Sequence, residues 1–344
     1  MVINSYERVL TVLSGKIPDR VPIFELLIDR KVIRKITGKE DYLDFCERYP
    51  VDIVLTNTPS KLYEEKVIDA ENRIVINEWG IKRQYTEEEV SIPLEGPIKT
   101  PEDLDHFEPP DPFKEKRYEE LKEIIRRFKG KKFIGMHLHD ALNYPLYLRG
   151  AEQLFIDTIE NPELVHRLVN ISISHNIAIA EKAIELGADF IILGDDYGSS
   201  NGPMMSPKAF REFFLPGIRK IVQAVRSRGA FCFKHCCGNI NAILDDMVST
   251  GISALHPLDI SAGMDIFEVK NRYKNLTVMG GVNCGAPLTD YTVEELVEEV
   301  KRVLKRLMPG GRYIIASSNS IHSRVKPENL LAMWETVERY GRYD

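Results

Sequence analysis

The chain has 344 residues, 43% of them hydrophobic, and a formal net charge of −6. That balance supplies a sizeable core and argues against a nucleic-acid partner, whose phosphates attract basic faces. No run approaches the roughly 18 unbroken apolar residues that cross a bilayer, and the first residues lack the layout of a signal peptide. The expectation is a soluble, cytoplasmic protein with no membrane partner.

In chain order, eight short apolar runs begin at Val21–Phe24 and Val51–Leu55. Residues 66–112 then break the rhythm. The stretch 66–95 has hairpin character and 92–112 is rich in proline, which predicts a small β-meander inserted after the second strand. The remaining runs are Lys132–Met136, Asp189–Leu193, Ala230–Phe233, Ala254–Pro257, Leu276–Met279 and Tyr313–Ala316. Helical periodicity fills most of the gaps: Ala151–Glu160, Pro162–Leu186, Pro207–Arg228, Ile240–Thr250, Thr292–Leu307 and Pro327–Tyr340. Thr292-Val-Glu-Glu295 has the form of a capping box. Continuous apolar runs alternating with helices describe parallel strands buried on both faces. Eight such units predict an α/β fold, a single (β/α)8 barrel spanning 1–344 as one domain.

Barrel chemistry collects where strands end. Past the successive runs stand Glu25; Asn57; His137, His139 and Asp140; Asp195, Asp196 and Tyr197; His235, Cys236 and Cys237; His256 and Asp259; Asn283 and Cys284; and Ser318, Asn319 and His322. The sharpest motif is His235-Cys-Cys237. In an extended segment, residues i and i+2 face the same way, so His235 and Cys237 converge while Cys236 turns away. Imidazole plus thiolate is a zinc-type donor pair, and catalytic zinc takes three protein ligands with one open position. Cys284 is the first choice for the third; Asp195, Asp196, Asn319 and His322 are alternatives. His137 and His139 repeat the i, i+2 spacing and offer a rival metal site. Asp195 and Asp196 with Tyr197 suit acid–base or orienting work, although one aspartate could simply cap the next element. His139 and Asn319 are further candidate catalytic residues, and Asn283 and His322 candidate cofactor-binding ones. His256 reads as a core histidine.

A family resemblance rests on several segments. They are Glu7-Arg-Val-Leu10 with Pro18-Asp-Arg-Val-Pro22, Gly150-Ala-Glu-Gln-Leu154 with Asn161-Pro-Glu-Leu164, Asp196-Tyr-Gly198 through Met205-Ser-Pro207 to Phe213-Phe-Leu-Pro216, His235-Cys-Cys-Gly238, and Pro327-Glu-Asn329. Together they resemble the uroporphyrinogen decarboxylase superfamily, whose members also include cobalamin-dependent methyltransferases. The resemblance covers nearly the whole chain and implies a (β/α)8 barrel. Decarboxylases carry an N-terminal Arg-Gln-Ala-Gly-Arg segment for the substrate carboxylates; here Ile23-Phe-Glu-Leu-Leu-Ile-Asp-Arg30 stands instead. The methyltransferase branch binds zinc through His-x-Cys and a later cysteine. His235 and Cys237 match the first two positions, whereas the third aligns with Asn319. That branch implies zinc, a small-molecule substrate, a corrinoid presented by a carrier protein, and a homodimer. No Asp-x-His-x-x-Gly corrinoid motif occurs, so cobalt would come from outside. Decarboxylation of a porphyrinogen or related substrate, and non-catalytic tetrapyrrole binding, are the rival functions.

Overall fold

A computed structural model describes residues 3–56, 65–88 and 90–343; Asn57 lies outside the described residues. The strands, in chain order, are β1 (Ile53–Leu55), β2 (Glu65–Asp69), β3 (Ile74–Asn77), β4 (Lys82–Gln84), β5 (Ile92–Glu95), β6 (Phe133–Leu138), β7 (Phe190–Leu193), β8 (Gly198–Ser199), β9 (Gly202–Pro203), β10 (Phe231–His235), β11 (Ala254–His256), β12 (Thr277–Val282) and β13 (Tyr313–Ser317). Seven of them form one parallel sheet in the order β1-β6-β7-β10-β11-β12-β13.

The first apolar run does not form a regular strand, a departure from the expected eight. Val21–Phe24 is instead an extended segment hydrogen-bonded to both edges of the sheet. Phe24 N–H donates to Ile315 O (2.9 Å), Ile315 N–H to Pro22 O (3.0 Å) and Asp52 N–H to Ile23 O (2.9 Å). Pro22 has no N–H, so a continuous ladder cannot run through it. Charge pins the segment in place: the buried Asp52 carboxylate accepts from Arg8 Nη1 (2.6 Å), Arg20 Nη1 (2.8 Å) and Ile23 N–H (2.8 Å). The opening of the chain therefore serves the junction between the sheet edges.

Two apolar layers follow from the alternation of side chains along the strands. Phe24, Ile53, Phe133, Phe190, Phe233, Met279 and Ile314 fill the inside of the curl, joined by Val9 and Val12 from helix Ser5–Leu13. The opposite faces pack against the outer helices. Those helices match the expected spans closely, including Pro162–Leu186, Pro327–Tyr340 and Val293–Leu307 with its Thr292 capping box. One refinement is a π-helical turn, Phe210–Phe214, within the expected 207–228 helix. No helix among the described residues is long and apolar enough to cross a membrane.

Between β1 and β6 the chain makes a four-stranded antiparallel sheet, β2-β3-β4-β5. It docks on helix Asn143–Arg149: Trp79 stacks on Tyr144 with centroids 4.0 Å apart, and Ile98 N–H donates to Leu148 O at 3.0 Å. This position brings the sheet over the C-terminal ends of the parallel strands.

Glu25, just beyond the extended segment, is buried under this rim. Its carboxylate accepts from Ser317 N–H (3.2 Å), Ser317 Oγ–H (2.5 Å) and Trp334 Nε1–H (3.4 Å). Burial pushes its pKa from 4.5 up to about 7, against the pull of those donors. Between these values the unfolded chain releases the proton while the folded protein keeps it, so stability falls as pH rises through the window. Relative to wild type, Glu25→Gln should gain about 3 kcal/mol between pH 4.5 and about 7. Urea denaturation across that range checks this, and a pH-independent difference would contradict it.

Candidate metal centre and its cavity

A cavity of about 200 Å³ opens where the parallel strands end. Its wall includes His137, His139, Asp196, His235 and Asn319 from the strand ends, and Asn77, Ile81, Arg83 and Val90 from the inserted sheet and its loop. The insertion therefore closes over the site.

The centre of the site grows out of β7 and β10. β10 ends at His235, and the turn that follows is held by the β8–β9 hairpin, where Asn239 N–H donates to Ser199 O at 2.7 Å. Glycine is required at the contact: a Cβ on Gly198 would stand 2.6 Å from Cys237 O. The consequence is convergence. His235 Nε2 lies 3.3 Å from Cys237 Sγ and 3.6 Å from Asp196 Oδ1. The ligating atoms of Asp196, His235 and Cys237 all fall within 4.8 Å of one another. Cys236 faces away as alternation requires, its Sγ accepting from Tyr197 N–H at 3.2 Å.

These donors fit a zinc-type ion: one imidazole, one thiol and one carboxylate, with a cavity on the open side. Burial, then the neighbouring Asp196, push the Cys237 thiol up from its ordinary value. A thiolate at this position therefore needs a cation beside it. Burial, then Lys234, lower His235 to about 3, which keeps its ring neutral as a ligand must be.

Cys284, the first choice for a third ligand, does not join this group. Its N–H donates to Ser318 Oγ (3.1 Å) and its Sγ accepts from that hydroxyl (3.5 Å). Asp196 is the third member of the cluster with His235 and Cys237. Asn319 stands where the resemblance places a cysteine, and its Nδ2 donates to Cys237 Sγ at 3.2 Å. It touches the sulfur as a hydrogen-bond donor, not as a ligand.

The two adjacent aspartates have separate jobs. Asp196 is half exposed at the cavity. Asp195 is fully buried, and its Oδ2 accepts from the backbone N–H groups of Asp140, Leu142 and Asn143 at 3.0, 2.9 and 2.9 Å. Its Oδ1 meets His139 Nδ1 at 2.8 Å. Burial raises Asp195, but the His139 contact, Lys234 and the backbone donors outweigh it and hold the carboxyl below its ordinary value. It caps the Asn143–Arg149 helix start and orients His139, whose ring faces the cavity.

Tyr197 is fully buried and does not line the cavity; its hydroxyl donates to Asp140 Oδ1 at 2.5 Å. Asp140 also receives Lys234 Nζ at 2.7 Å, with both side chains fully buried. This ion pair forms the floor beneath the site. Asn283 Oδ1 accepts from Gly285 N–H (2.7 Å) and His322 Nδ1 from Arg324 N–H (3.3 Å), so both serve local turns. His137 does not pair with His139 on one ligand point. Its Nε2 is buried in the cavity wall with no partner among the described residues, and Gly194 leaves room for it, since a Cβ there would stand 1.9 Å away.

Two further candidates complete the site: Arg83, which carries no sequence signal of its own, and His256, which the sequence reads as a core histidine. Arg83 comes from the inserted sheet and is only 5% exposed. Its Nε donates to Ser91 Oγ and its Nη2 to Ser91 O, both at 2.8 Å, and its guanidinium lies 5.0 Å from the Tyr147 ring centroid. No carboxylate among the described residues pairs with it; beyond Ser91, its hydrogen-bonding side-chain partner is Tyr147. His256 sits behind His235 and is fully buried.

Comparison with known proteins agrees with this architecture. The family model for uroporphyrinogen decarboxylase (URO-D) matches residues 4–340. A methylcobamide:CoM methyltransferase, MtaA, from Methanosarcina barkeri is 28% identical over 183 residues, covering 53% of this chain and 51% of that protein. The chain thus matches about half the length of such relatives. A uroporphyrinogen decarboxylase from Chlorobium phaeovibrioides (strain DSM 265 / 1930) is 25% identical over 337 residues, covering 89% of this chain and 88% of that protein. Among solved structures, a methyltransferase from Methanosarcina mazei superposes with a TM-score of 0.80 at 19% identity, covering 98% of this chain and 99% of the other. Curled parallel sheet, strand-end site and family match agree: the chain belongs to the uroporphyrinogen decarboxylase (URO-D) family.

Proposed function

We propose that this protein transfers a methyl group between an externally supplied corrinoid and a small thiol, at a zinc-type centre held by Asp196, His235 and Cys237. The convergence of those three side chains, of which Asp196 and His235 line the cavity, is the observation that carries the reading. The methyltransferases among its relatives support it. The cation's contribution is to stabilise an acceptor thiolate near neutral pH.

This chain's own residues do the rest. His139, oriented by Asp195, takes the thiol proton. Arg83 holds an anionic group at the other end of the acceptor, because a buried guanidinium without a carboxylate partner calls for an anion. Asn319 donates to Cys237 Sγ and tempers its charge. The acceptor sulfur then forms its bond to the methyl carbon while the cobalt–carbon bond breaks with its electron pair left on cobalt. The inserted sheet keeps bulk water from the cavity.

The size and charge of the cavity favour this over porphyrinogen decarboxylation. Drug-sized ligands occupy roughly 300–1,000 Å³, and this space of about 200 Å³ has Arg83 as its one arginine or lysine among the described lining residues. A tetrapyrrole with many carboxylates needs several fixed guanidinium groups. The test is methyl transfer from methylcobalamin to short thiols by zinc-loaded protein, followed by cobalamin absorbance and thioether formation. Zinc-dependent turnover is expected. Failure to take up stoichiometric zinc, or decarboxylation of uroporphyrinogen by the metal-free protein, would overturn the proposal.

A further inference from the structure

His235 and His256 end neighbouring strands, and the β10–β11 register pairs them directly. Their rings lie side by side with centroids 5.0 Å apart. His235 Nδ1 and His256 Nδ1 are 2.8 Å apart, and His256 Nε2 is 3.0 Å from the backbone carbonyl oxygen of Ser317 at the end of β13. A carbonyl only accepts, so His256 Nε2 must carry a proton. The His256 ring is fully buried, with that carbonyl and the His235 imidazole as its hydrogen-bond partners. A positive charge there would be desolvated without a counter-ion, so the ring is neutral and Nδ1 is bare. His235 Nδ1 must then be the donor of the 2.8 Å contact. In a neutral His235 that leaves Nε2 with its lone pair, facing Cys237 Sγ at 3.3 Å and Asp196 Oδ1 at 3.6 Å.

We infer that His256 is a positioning residue that locks His235 in the Nδ1–H form, presenting Nε2 as a ready-made metal donor. The relay runs from the Ser317 carbonyl through two imidazoles to the ligand point. It replaces the carboxylate or carbonyl that usually receives the distal N–H of a metal-bound histidine. The opposite proton arrangement would set a bare His256 Nε2 against the carbonyl and cap the ligand nitrogen of His235 with a proton. The metal-binding consequence rests on the zinc reading above; the proton arrangement itself does not.

Long-range 1H–15N correlation spectra of the metal-free protein, labelled at histidine, report the proton positions. The expected result is protonated Nδ1 and bare Nε2 on His235, with protonated Nε2 on His256. A protonated Nε2 on metal-free His235, or a cationic His256, would overturn the inference, whatever any variant does. His256→Phe keeps a flat ring against Phe24, whose centroid is 5.5 Å away, but removes the acceptor. Competition with a chromophoric chelator should show its zinc affinity lowered about 10–100-fold. His256→Gln restores a carbonyl acceptor and should recover most of that loss. Equal zinc affinity in His256→Phe and wild type would also overturn the inference. If wild type takes up no zinc while the spectra show the expected protons, the zinc proposal fails and the relay stands.

Discussion

Cys237→Ala is expected to purify without zinc, whereas Cys284→Ala should retain one zinc per chain. Cys237 Sγ belongs to the cluster proposed to hold the metal, so its loss should exceed the roughly 10–100-fold typical of an outer-shell partner. Cys284 is engaged by Ser318 outside the cluster. Elemental analysis after dialysis separates the two outcomes, and zinc lost on Cys284→Ala would return that residue to the ligand set. Asn319→Cys extends the comparison. Asn319 already touches Cys237 Sγ at 3.2 Å, so a thiolate there should tighten zinc binding beyond wild type. Weaker binding would mean that the amide's donation to the sulfur matters more than an added ligand.

Arg83→Gln is expected to abolish discrimination between anionic and neutral acceptors. The comparison uses 3-mercaptopropionate and 3-mercaptopropanol, which share a thiol and chain length and differ in charge. A hydrogen bond to a charged group contributes about 1.5–3 kcal/mol, so the wild type should prefer the acid by roughly 10–100-fold. The variant should lose that preference through the acid alone and keep its zinc. Unchanged selectivity would leave Arg83 as packing for Tyr147. The side chain suits the role because Ser91 clamps two of its nitrogens, which leaves little rotamer freedom to lose on binding.

His235 and Cys237 were legible because alternation along a strand is local geometry. A spacing of two residues puts both side chains on one face wherever that strand ends up. The same rule set Cys236 apart correctly. It also puts His137 and His139 on the cavity wall, but β6 ends at Leu138 and the two join no metal-type cluster among the described residues. The sequence offered both Cys284 and Asp196, each at a strand end, as partners for His235 and Cys237; only the curl of the sheet brings Asp196 beside them. Asp195 and Asp196 are neighbours in sequence, yet one faces three backbone N–H groups and the other the cavity. His256 read as a core histidine, and it is fully buried, but its partners come from β10 and β13.

By itself, then, the sequence determined six helical stretches, most of the parallel strands, the pairing of His235 with Cys237 and the presence of β-rich material near residues 66–95, while helices such as Arg30–Thr37, Glu119–Phe128 and Ile266–Arg272 went unread. Each feature so determined follows from short-range periodicity, capping or composition. Tertiary structure alone decided that Val21–Phe24 joins the sheet edges as an extended segment, that Asp196 stands beside His235 and Cys237, and that Arg83 is carried over the cavity. Those outcomes depend on strand order and register across the sheet and on where the insertion docks. Contacts between residues far apart in the chain set them, and no local pattern encodes such contacts.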